Sequence, residues 1–441
     1  MSKKLLINII IANLLWSFVP IIVSGLALEV SVIMIIFLRF LMASIVLFLL
    51  SFIFTAYNNR LTQNEKISLN ILIKNLLHPN RRFYSIRNIY YYWLLGFFGI
   101  IIHIVFFFLT LKTTSIIFTI TGFLLSIIFI ALYEKGVNFE KFDIFKVLYI
   151  ILLTFSIIII IFVSVVGGNL TEKPITFNAV LYLLIFSITT AFLYIAINRD
   201  AYSIEETQII SKNKYYQIPR LLIKIAVAFF LGTISMVPFV FVIGILPFPN
   251  ELQYESLKFF EQFSSFFTIL GRWEILYLLI FSTLIPYLLI FVTNTIWKSE
   301  NLTYSQWSSI LNLIDPIGSI LFSVILIREY FPYDLLFITI FLLLITIIFR
   351  YSHEVKNLVK ANLLITLKKG STKPIILRIL KYYGITKISA LIGTYDLLVD
   401  VKTSSIKDLY FLVDKRLKPI DQIKKIDILF INKIEKFSLE T

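Results

Sequence analysis

The chain has 441 residues, of which 59% are hydrophobic, 16% aromatic and only 15% charged, and its mean hydropathy is +0.89. A composition this apolar excludes a soluble globular protein and is typical of a polytopic helical membrane protein. The formal net charge of +15 does not require a nucleic-acid partner, because cytoplasmic loops of membrane proteins collect Lys and Arg. The absence of cysteine excludes disulfides, thiolate metal sites and thiol catalysis.

Ten apolar segments, which we number spans 1 to 10, are each long enough to cross a hydrocarbon core about 30 Å thick. The first follows Met-Ser-Lys-Lys without a cleavage site, which predicts an uncleaved first helix. The predicted bounds of the ten spans are 5–27, 30–56, 90–111, 114–133, 144–166, 176–198, 219–246, 275–297, 304–327 and 333–351.

The Lys and Arg residues between the spans predict the orientation of the chain. If the N-terminus is cytoplasmic, seventeen of them fall in inside loops and five in outside loops. This bias is the positive-inside pattern, so we expect a cell-membrane protein with both termini in the cytoplasm. Two long loops, Asn58–Asn88 and Glu251–Leu270, carry spaced apolar residues. Each predicts an amphipathic segment lying in the membrane interface, or a helix that merely fills the loop.

A weak repeat divides the ten spans into two halves, residues 1–170 and 171–351. Span 4 ends in Ala131–Lys135 (ALYEK) and span 9 ends in Leu326–Tyr330 (LIREY), and each is followed by the last span of its half. Because each half holds an odd number of spans, the halves must insert in opposite senses. Inverted repeats of five helices are an architecture of alternating-access transporters.

Four stretches resemble the drug/metabolite transporter superfamily, and within it the ten-helix EamA-type exporters. They are Leu14–Pro20, Leu38–Ser44, Glu134 and Leu313–Glu329, and the resemblance covers about residues 5–351. It implies a secondary active transporter that exports small organic metabolites, driven by protons or by the substrate gradient. The first repeat departs from the pattern, because Ile120-Thr121-Gly122 stands where a proline like Pro316 is expected.

Residues 352–441 differ in composition from the spans and predict a small α+β domain in the cytoplasm. Their apolar spacing alternates between that of strands and that of helices, in the order βαββαβ of the ferredoxin-like plan. The predicted strands are Ala361–Leu367, Ile388–Ile392, Leu397–Val401 and Ile423–Ile431, and the predicted helices are Lys373–Tyr383 and Ser405–Leu417.

The stretch Ala390–Val399 makes this tail resemble the ligand-sensing domain of the leucine-responsive/AsnC regulator family. The resemblance implies an amino-acid-like effector, pairing of tails into a homodimer, and Gly393, Tyr395 and Asp396 as effector-site candidates. Gly393 fits a turn that needs a positive φ, and Tyr395 and Asp396 either contact the effector or hold the hairpin. No helix-turn-helix precedes the domain, so DNA binding is not implied.

Asp315-Pro316 lies in the middle of span 9, where an ionisable group costs roughly 2.5–3.5 kcal/mol on insertion scales. Asp315 is therefore either a site for a substrate amine or a proton, or a polar clamp on a neighbouring helix. Arg39 lies about 13 Å below the outer end of span 2, and Asp315 about 18–20 Å below that of span 9. The two can pair if these spans are adjacent.

Other polar or aromatic groups in the spans are candidates for lining a substrate cavity, with helix–helix packing as the alternative for each: Trp16, His103, Asn294 and Asn312. Glu134 and Glu329 end spans 4 and 9, where we expect a gate or a cap. The sequence contains no Walker loop, no HExxH and no cluster of His with carboxylates at ligand spacing. We therefore expect no enzymatic activity, no metal and no cofactor.

Two hypotheses follow from these patterns. In the first, the chain transports a small organic molecule, such as an amino acid or a derivative, around a polar cavity at the membrane midplane, and the tail regulates it. In the second, the spans anchor a small-molecule sensor or assembly protein in the bilayer without transport. Polar groups that converge on a cavity favour transport, whereas a fully packed bundle favours the anchor.

Overall fold

A computed structural model describes residues 2–61, 73–78, 86–138, 144–171, 175–197, 216–246, 248–296, 302, 304–356, 359–368, 372–380, 382, 384–403 and 406–430. These residues form two compact units. One comprises the described residues of Lys4–Thr295 and Leu311–Ile347, and the other comprises those of Met1–Lys3, Ile296–Ile310 and Ile348–Thr441.

Within the described part of the chain, ten helical segments are long and apolar enough to cross a membrane, and they match the ten predicted spans. The chain is therefore an integral membrane protein. The structure gives their bounds, with interruptions, as Ser2–Ser17 and Val19–Glu29, Val32–Leu61, Asn88–Thr113, Ile116–Asn138, Ile144–Thr171, Phe177–Ile197, Gln217–Ile245, Trp273–Ile296, Tyr304–Leu311 and Ile314–Ile327, and Tyr333–Lys356.

Four of the spans are interrupted near their middle. Span 1 breaks at Phe18, two residues before Pro20, and span 9 breaks at Asn312–Leu313, shortly before Pro316. A proline lacks the N–H that would bond the carbonyl four residues earlier, so it opens the helix there. Spans 3 and 8 instead widen into π-helical turns at Leu95–Ile102 and Ile280–Leu284. Such turns are frequent at functional sites.

The spans of the larger unit interleave the two predicted halves. Span 2 packs against spans 7 and 8, span 3 against spans 6 and 7, and span 6 also against span 4. The second part of span 1 contacts spans 3, 4, 8 and 9, and span 9 contacts span 4. Spans 3 and 7 approach most closely at two glycines. A Cβ on Gly232 would lie 2.6 Å from the backbone of Gly96, and one on Gly96 would collide with the carbonyl of Ala228.

The loop between spans 7 and 8 forms helix α1 (Asn250–Glu261), which continues in shorter turns to Leu270. Its apolar side chains divide between two faces. Leu252 and Phe259 are buried against the protein, whereas Leu257, Phe263 and Phe267 are exposed. The segment is amphipathic as predicted, but Leu252 faces the protein and not the membrane interface. The other predicted amphipathic stretch, Ile67–Ile73, lies outside the described residues except for Ile73.

The tail contains a four-stranded antiparallel sheet in the order β2-β3-β1-β4. Its elements are β1 (Val359–Leu367), α2 (Thr372–Ile379), β2 (Ile385–Ala390), β3 (Leu397–Thr403), α3 (Ile406–Leu412) and β4 (Ile423–Phe430). Alternate residues such as Leu363, Ile365 and Val399 point inward and form one core with both helices. Strand β2 begins three residues earlier than predicted, because Ile385 already pairs with Val401.

The close approach of spans 3 and 7 predicts that Gly96→Ala destabilises the protein. The new methyl group would collide with backbone atoms of span 7. Backbone cannot relieve a collision by a change of rotamer, and overpacking of this kind costs about 1–3 kcal/mol. We expect a lower midpoint of thermal unfolding in detergent. Gly25→Ala is the matched control, because no atom lies within 4 Å of a Cβ at that helical position. An unchanged midpoint for Gly96→Ala would contradict the packing described here.

Candidate functional site

The guanidinium of Arg39 binds the middle of span 8. Its Nη2 donates to the carbonyl oxygen of Ser282 at 2.9 Å and to the Ser282 hydroxyl at 2.7 Å, and its Nε donates to the hydroxyl of Thr283. Arg39 is 2% exposed and lies seven residues, or about 10 Å, into span 2. A cation is thus held at membrane depth, and its hydrogen-bond partners among the described residues are all neutral groups.

The carbonyl of Ser282 is available to Arg39 because of Pro286. In a regular helix that carbonyl accepts the N–H four residues later, which a proline does not have. The indole Nε1 of Trp16 donates to the same carbonyl at 2.9 Å. Two donors from spans 1 and 2 therefore satisfy the oxygen that Pro286 leaves without a helical partner. Neither Ser282 nor Thr283 is predicted from the sequence as a site residue, although Pro286 is a signal that points to the carbonyl of Ser282.

Asp315 begins the second part of span 9, where that helix meets the break in span 1. Its Oδ1 accepts the Ser319 hydroxyl at 3.2 Å, and that hydroxyl also lies 3.2 Å from the carbonyl oxygen of Ser17. A Cβ on Gly318 would lie 2.7 Å from the Ser17 hydroxyl. The rings of Phe18 and Phe322 stack at 4.0 Å. The two interrupted helices thus pack closely at the point where each is broken.

The Arg39 and Asp315 clusters are joined through consecutive residues of span 1. Trp16 contacts the Arg39 cluster and Ser17 contacts the Asp315 cluster. The two charged groups do not pair, because within the described residues Arg39 binds only Ser282 and Thr283. The anticipated Arg39–Asp315 ion pair is therefore not formed. We call the two clusters together the polar junction.

Two buried amide oxygens of spans 1 and 9 lack a hydrogen-bond partner among the described residues. They are Oδ1 of Asn13 and Oδ1 of Asn312, whose residues are 0% and 9% exposed. Asn312 lies in the break of span 9, three residues before Asp315, and Pro316 removes the helical donor for the carbonyl of Asn312. An unsatisfied acceptor buried in a protein typically costs about 1–3 kcal/mol. Spans 1 and 9 therefore present acceptors that a donor group could satisfy.

A small cavity of about 10 Å³, with room for about one water molecule, adjoins the aromatic side of the Arg39 cluster. Phe229 and Tyr287 line it, and the same rings contact Phe40 at 5.0 Å and Trp16 at 5.6 Å, respectively. Lys224, which is buried within span 7, is the charged residue in the lining and lies 5.8 Å from the ring of Tyr92. The remaining lining residues are Tyr91, Leu95, Ile100, Ile197, Ile225, Ala228 and Phe291.

Two predicted cavity residues lie elsewhere. The His103 ring stacks on Phe186 at 5.3 Å, and its Nδ1 is 3.2 Å from the carbonyl oxygen of Gly99, so His103 belongs to an aromatic cluster between spans 3, 4 and 6. Asn294 is half-buried near the end of span 8, next to Thr293, whose hydroxyl accepts the Asn8 amide at 3.1 Å. Of the predicted cavity residues, the structure groups Arg39 with Trp16, and Asp315 with Asn312 and Pro316.

The end of the bundle that is predicted to face outward is closed by α1. Glu255 is fully buried there and pairs with Lys112 at the end of span 3. Its Oε2 also accepts the N–H of Val32 at 2.6 Å, which caps the start of span 2. Gln262 accepts the N–H of Ser31 at 2.8 Å. One short helix therefore ties together the ends of spans 2 and 3.

Glu329 links spans 9 and 4 at the same end of the bundle. Arg328 ends span 9 in a left-handed conformation with φ 59°, which turns the chain. The Glu329 carboxylate then accepts the N–H groups of Ile116 and Ile117 at 2.7 and 3.2 Å, at the start of span 4. An acidic group at a helix N-terminus is a favourable cap. The side chain of Glu134, the corresponding residue of span 4, lies outside the described residues.

The three candidate residues of the tail occupy one loop, Leu391–Asp396. Gly393 has φ +148°, and a Cβ there would meet nothing within 4 Å. Asp396 accepts the N–H of Leu367 at 2.6 Å, so it holds the loop to β1. The Tyr395 hydroxyl donates to Asp427 on β4 at 2.7 Å. Hydrogen bonds from Lys425 and then from Tyr395 hold the pKa of Asp427 below its ordinary value.

No model of a protein family matches this chain, and no curated protein matches it. Three chains of solved structures match. One of them, named "Crystal structure of protein", shares 12% sequence identity with this chain. The match covers 80% of this chain and 98% of the other chain, with a TM-score of 0.45. So distant a likeness does not bear on function. Among the described residues, no group of three His, Cys, Asp or Glu could hold a metal ion.

The closure by α1 predicts that Glu255→Gln destabilises the protein. The substitution leaves the Lys112 ammonium without its carboxylate, and breaking a buried ion pair in this way costs about 3–5 kcal/mol. We expect the lower end of this range, because the Lys112 side chain is 22% exposed. The measurement is the midpoint of thermal unfolding. Glu261→Gln, an exposed change on the same helix, is expected to leave it unaltered. Equal effects of both variants would refute the role given to Glu255.

Proposed function

We propose that this chain is a secondary active transporter of small organic metabolites, of the EamA type in the drug/metabolite transporter superfamily. The observation that carries the proposal is the polar junction. Burying Arg39 and Asp315 in a hydrocarbon environment is costly, and ionisable groups at that depth typically mark substrate or ion pathways. Interrupted helices at the midplane are the usual form of a transporter's binding site.

The packing of the spans supports an inverted repeat. Exchanging the halves maps spans 1, 2, 3 and 4 onto spans 6, 7, 8 and 9. Under that exchange, the contact between spans 3 and 7 corresponds to the contact between spans 8 and 2. The contact between spans 4 and 6 corresponds to the contact between spans 9 and 1. All four contacts are present. The π-helical turns near the middle of spans 3 and 8 also correspond, whereas the one that ends span 9, at Ser323–Ile327, has no counterpart in span 4. This correspondence is what two related five-helix halves would produce.

We propose export as the direction of transport, and the closure of the bundle supports it. Helix α1 closes the end predicted to face outward, through Glu255 and Gln262. The small cavity lies toward the opposite end, because its lining includes Tyr91 and Tyr92 near the start of span 3 and Ile197 at the end of span 6. With the predicted orientation, that end faces the cytoplasm. A bundle closed at its outer end is the state in which an exporter would load its substrate from the cytoplasm.

We also propose that the tail is a ferredoxin-like cytoplasmic domain that binds an amino-acid-like effector and pairs into a homodimer. Its element order βαββαβ and its own hydrophobic core support an independent folding unit. Of the candidate residues, Gly393 and Tyr395 fit a contact with the effector better than Asp396, whose carboxylate already holds β1. By thermodynamic reciprocity, an effector that biases the transport cycle must bind with an affinity that depends on the transport state.

Transport is tested with the full chain in proteoliposomes loaded with the twenty common amino acids, with release measured by mass spectrometry. We expect saturable release of one or a few. Asp315→Asn removes the charge of the polar junction on span 9 and should slow release about tenfold or more, which is ~1.4 kcal/mol in the barrier.

The matched control for this experiment is Asp334→Asn, an exposed change at the start of span 10. It should leave release unchanged. Full activity of a folded Asp315→Asn variant would contradict a role for Asp315 in transport. Failure of the wild-type protein to release any of the panel would contradict the proposal and favour a membrane-anchored sensor, for which the separate core of the tail would be the working part.

The tail proposal predicts that calorimetric titration of the full chain with single amino acids gives saturable heat. A chain that ends at Lys356, after span 10, should lose that heat but retain transport of the same panel. Heat that persists without the tail would place the binding in the membrane domain. Absence of heat from the folded full chain with every amino acid would remove effector sensing and leave the tail as an oligomerisation module.

A further inference from the structure

We propose that Arg39 binds a carboxylate of the transported molecule, so that the substrate is an organic acid or an amino acid and not an amine or a neutral compound. The inference rests on the proposed transport function and adds the charge of the cargo to it. It is carried by three observations: the partners of Arg39, the donors it has left, and the residues that line the adjoining cavity.

The charge of Arg39 is not balanced by an acidic side chain. Its partners within the described residues are one carbonyl and two hydroxyls, and the carboxylate of Asp315 is engaged with Ser319. A guanidinium does not lose its proton in proteins, so it cannot relieve the cost of burial by becoming neutral. Dipoles of neutral groups reduce that cost, but an anion at this position would remove the net charge.

Two donors of Arg39 remain for such an anion. A guanidinium carries five N–H groups, and the three on Nε and Nη2 correspond to the three hydrogen bonds to Ser282 and Thr283. Within the described residues, Nη1 makes no hydrogen bond, and it is not among the fully enclosed atoms that lack a partner. The edge of Arg39 that faces away from span 8 is therefore the edge that can receive a ligand.

The surroundings of Arg39 do not oppose an anion. No acidic residue is present among the described residues that line the small cavity beside it. Phe229 and Tyr287 adjoin both this cavity and the rings next to Arg39. An amine brought to Arg39 would be repelled by the guanidinium, whereas a carboxylate on an apolar body would match both the charge and the aromatic rings.

The test uses the full chain in proteoliposomes loaded with four matched sets: the amino acids, their carboxamides, their 2-oxo acids, and the amines that lack the carboxyl group. We expect release of members of the two carboxylate sets at least tenfold faster than release of the matched amides and amines. Preferential release of amides or amines would overturn the inference and leave transport intact. Release of nothing would contradict the proposed function itself.

Substitutions at Arg39 separate binding from mere support of the fold. Arg39→Gln should abolish the preference for carboxylates over amides, and Arg39→Lys, which keeps the charge but loses the planar fork, should raise the concentration for half-maximal release at least tenfold. Arg272→Gln, which removes an arginine from the α1 end of the bundle, should change neither. If both Arg39 variants keep the wild-type preference, the inference is wrong. If Arg39→Gln does not fold, the Arg39→Lys variant and the wild-type comparison of acids with amides decide.

Discussion

The polar junction depends on one constraint, which is that a backbone carbonyl inside a membrane must find a hydrogen-bond donor within the protein. Pro286 removes the helical donor for the carbonyl of Ser282, and Trp16 and Arg39 supply donors in its place. Spans 1, 2 and 8 are therefore joined at one oxygen atom. Arg39, which satisfies this carbonyl, brings a positive charge to membrane depth. Its hydrogen-bond partners there, among the described residues, are all neutral.

The same constraint on backbone hydrogen bonding applies to spans 1 and 9. Each is opened by a proline, and their broken parts meet through Ser17, Ser319 and Gly318. Close packing at small residues lets two interrupted helices lie against each other without water. The carboxylate of Asp315 and the unsatisfied oxygens of Asn13 and Asn312 lie on these same two spans.

Closure at the α1 end relies on a different kind of interaction. There, helix ends leave N–H groups without partners, and two carboxylates accept them: Glu255 at the start of span 2 and Glu329 at the start of span 4. Glu255 also binds Lys112, so the cap carries an ion pair. Interactions of this kind can be broken and remade when water enters, whereas the packing of Gly96 against span 7 cannot.

The amino-acid sequence determined the number of spans, their approximate bounds and the alternation of strands and helices in the tail. These features follow from runs of apolar residues and from their period, which are local properties. The positions of Asp315, Pro316 and Arg39 at membrane depth were also evident, since they only require counting along a helix. The sequence likewise indicated a cap at Glu329, because it ends an apolar span.

Only the tertiary structure decided which residues meet. Arg39 binds Ser282 and Thr283 and not Asp315, because the neighbour of span 2 at that depth is span 8. His103 lies in an aromatic cluster between spans 3, 4 and 6, and Lys224 of span 7 lines a small cavity. Each of these outcomes depends on which helices are adjacent and on how they are rotated. Those are set by long-range packing, such as the close contact at Gly96 and Gly232, which no local pattern records.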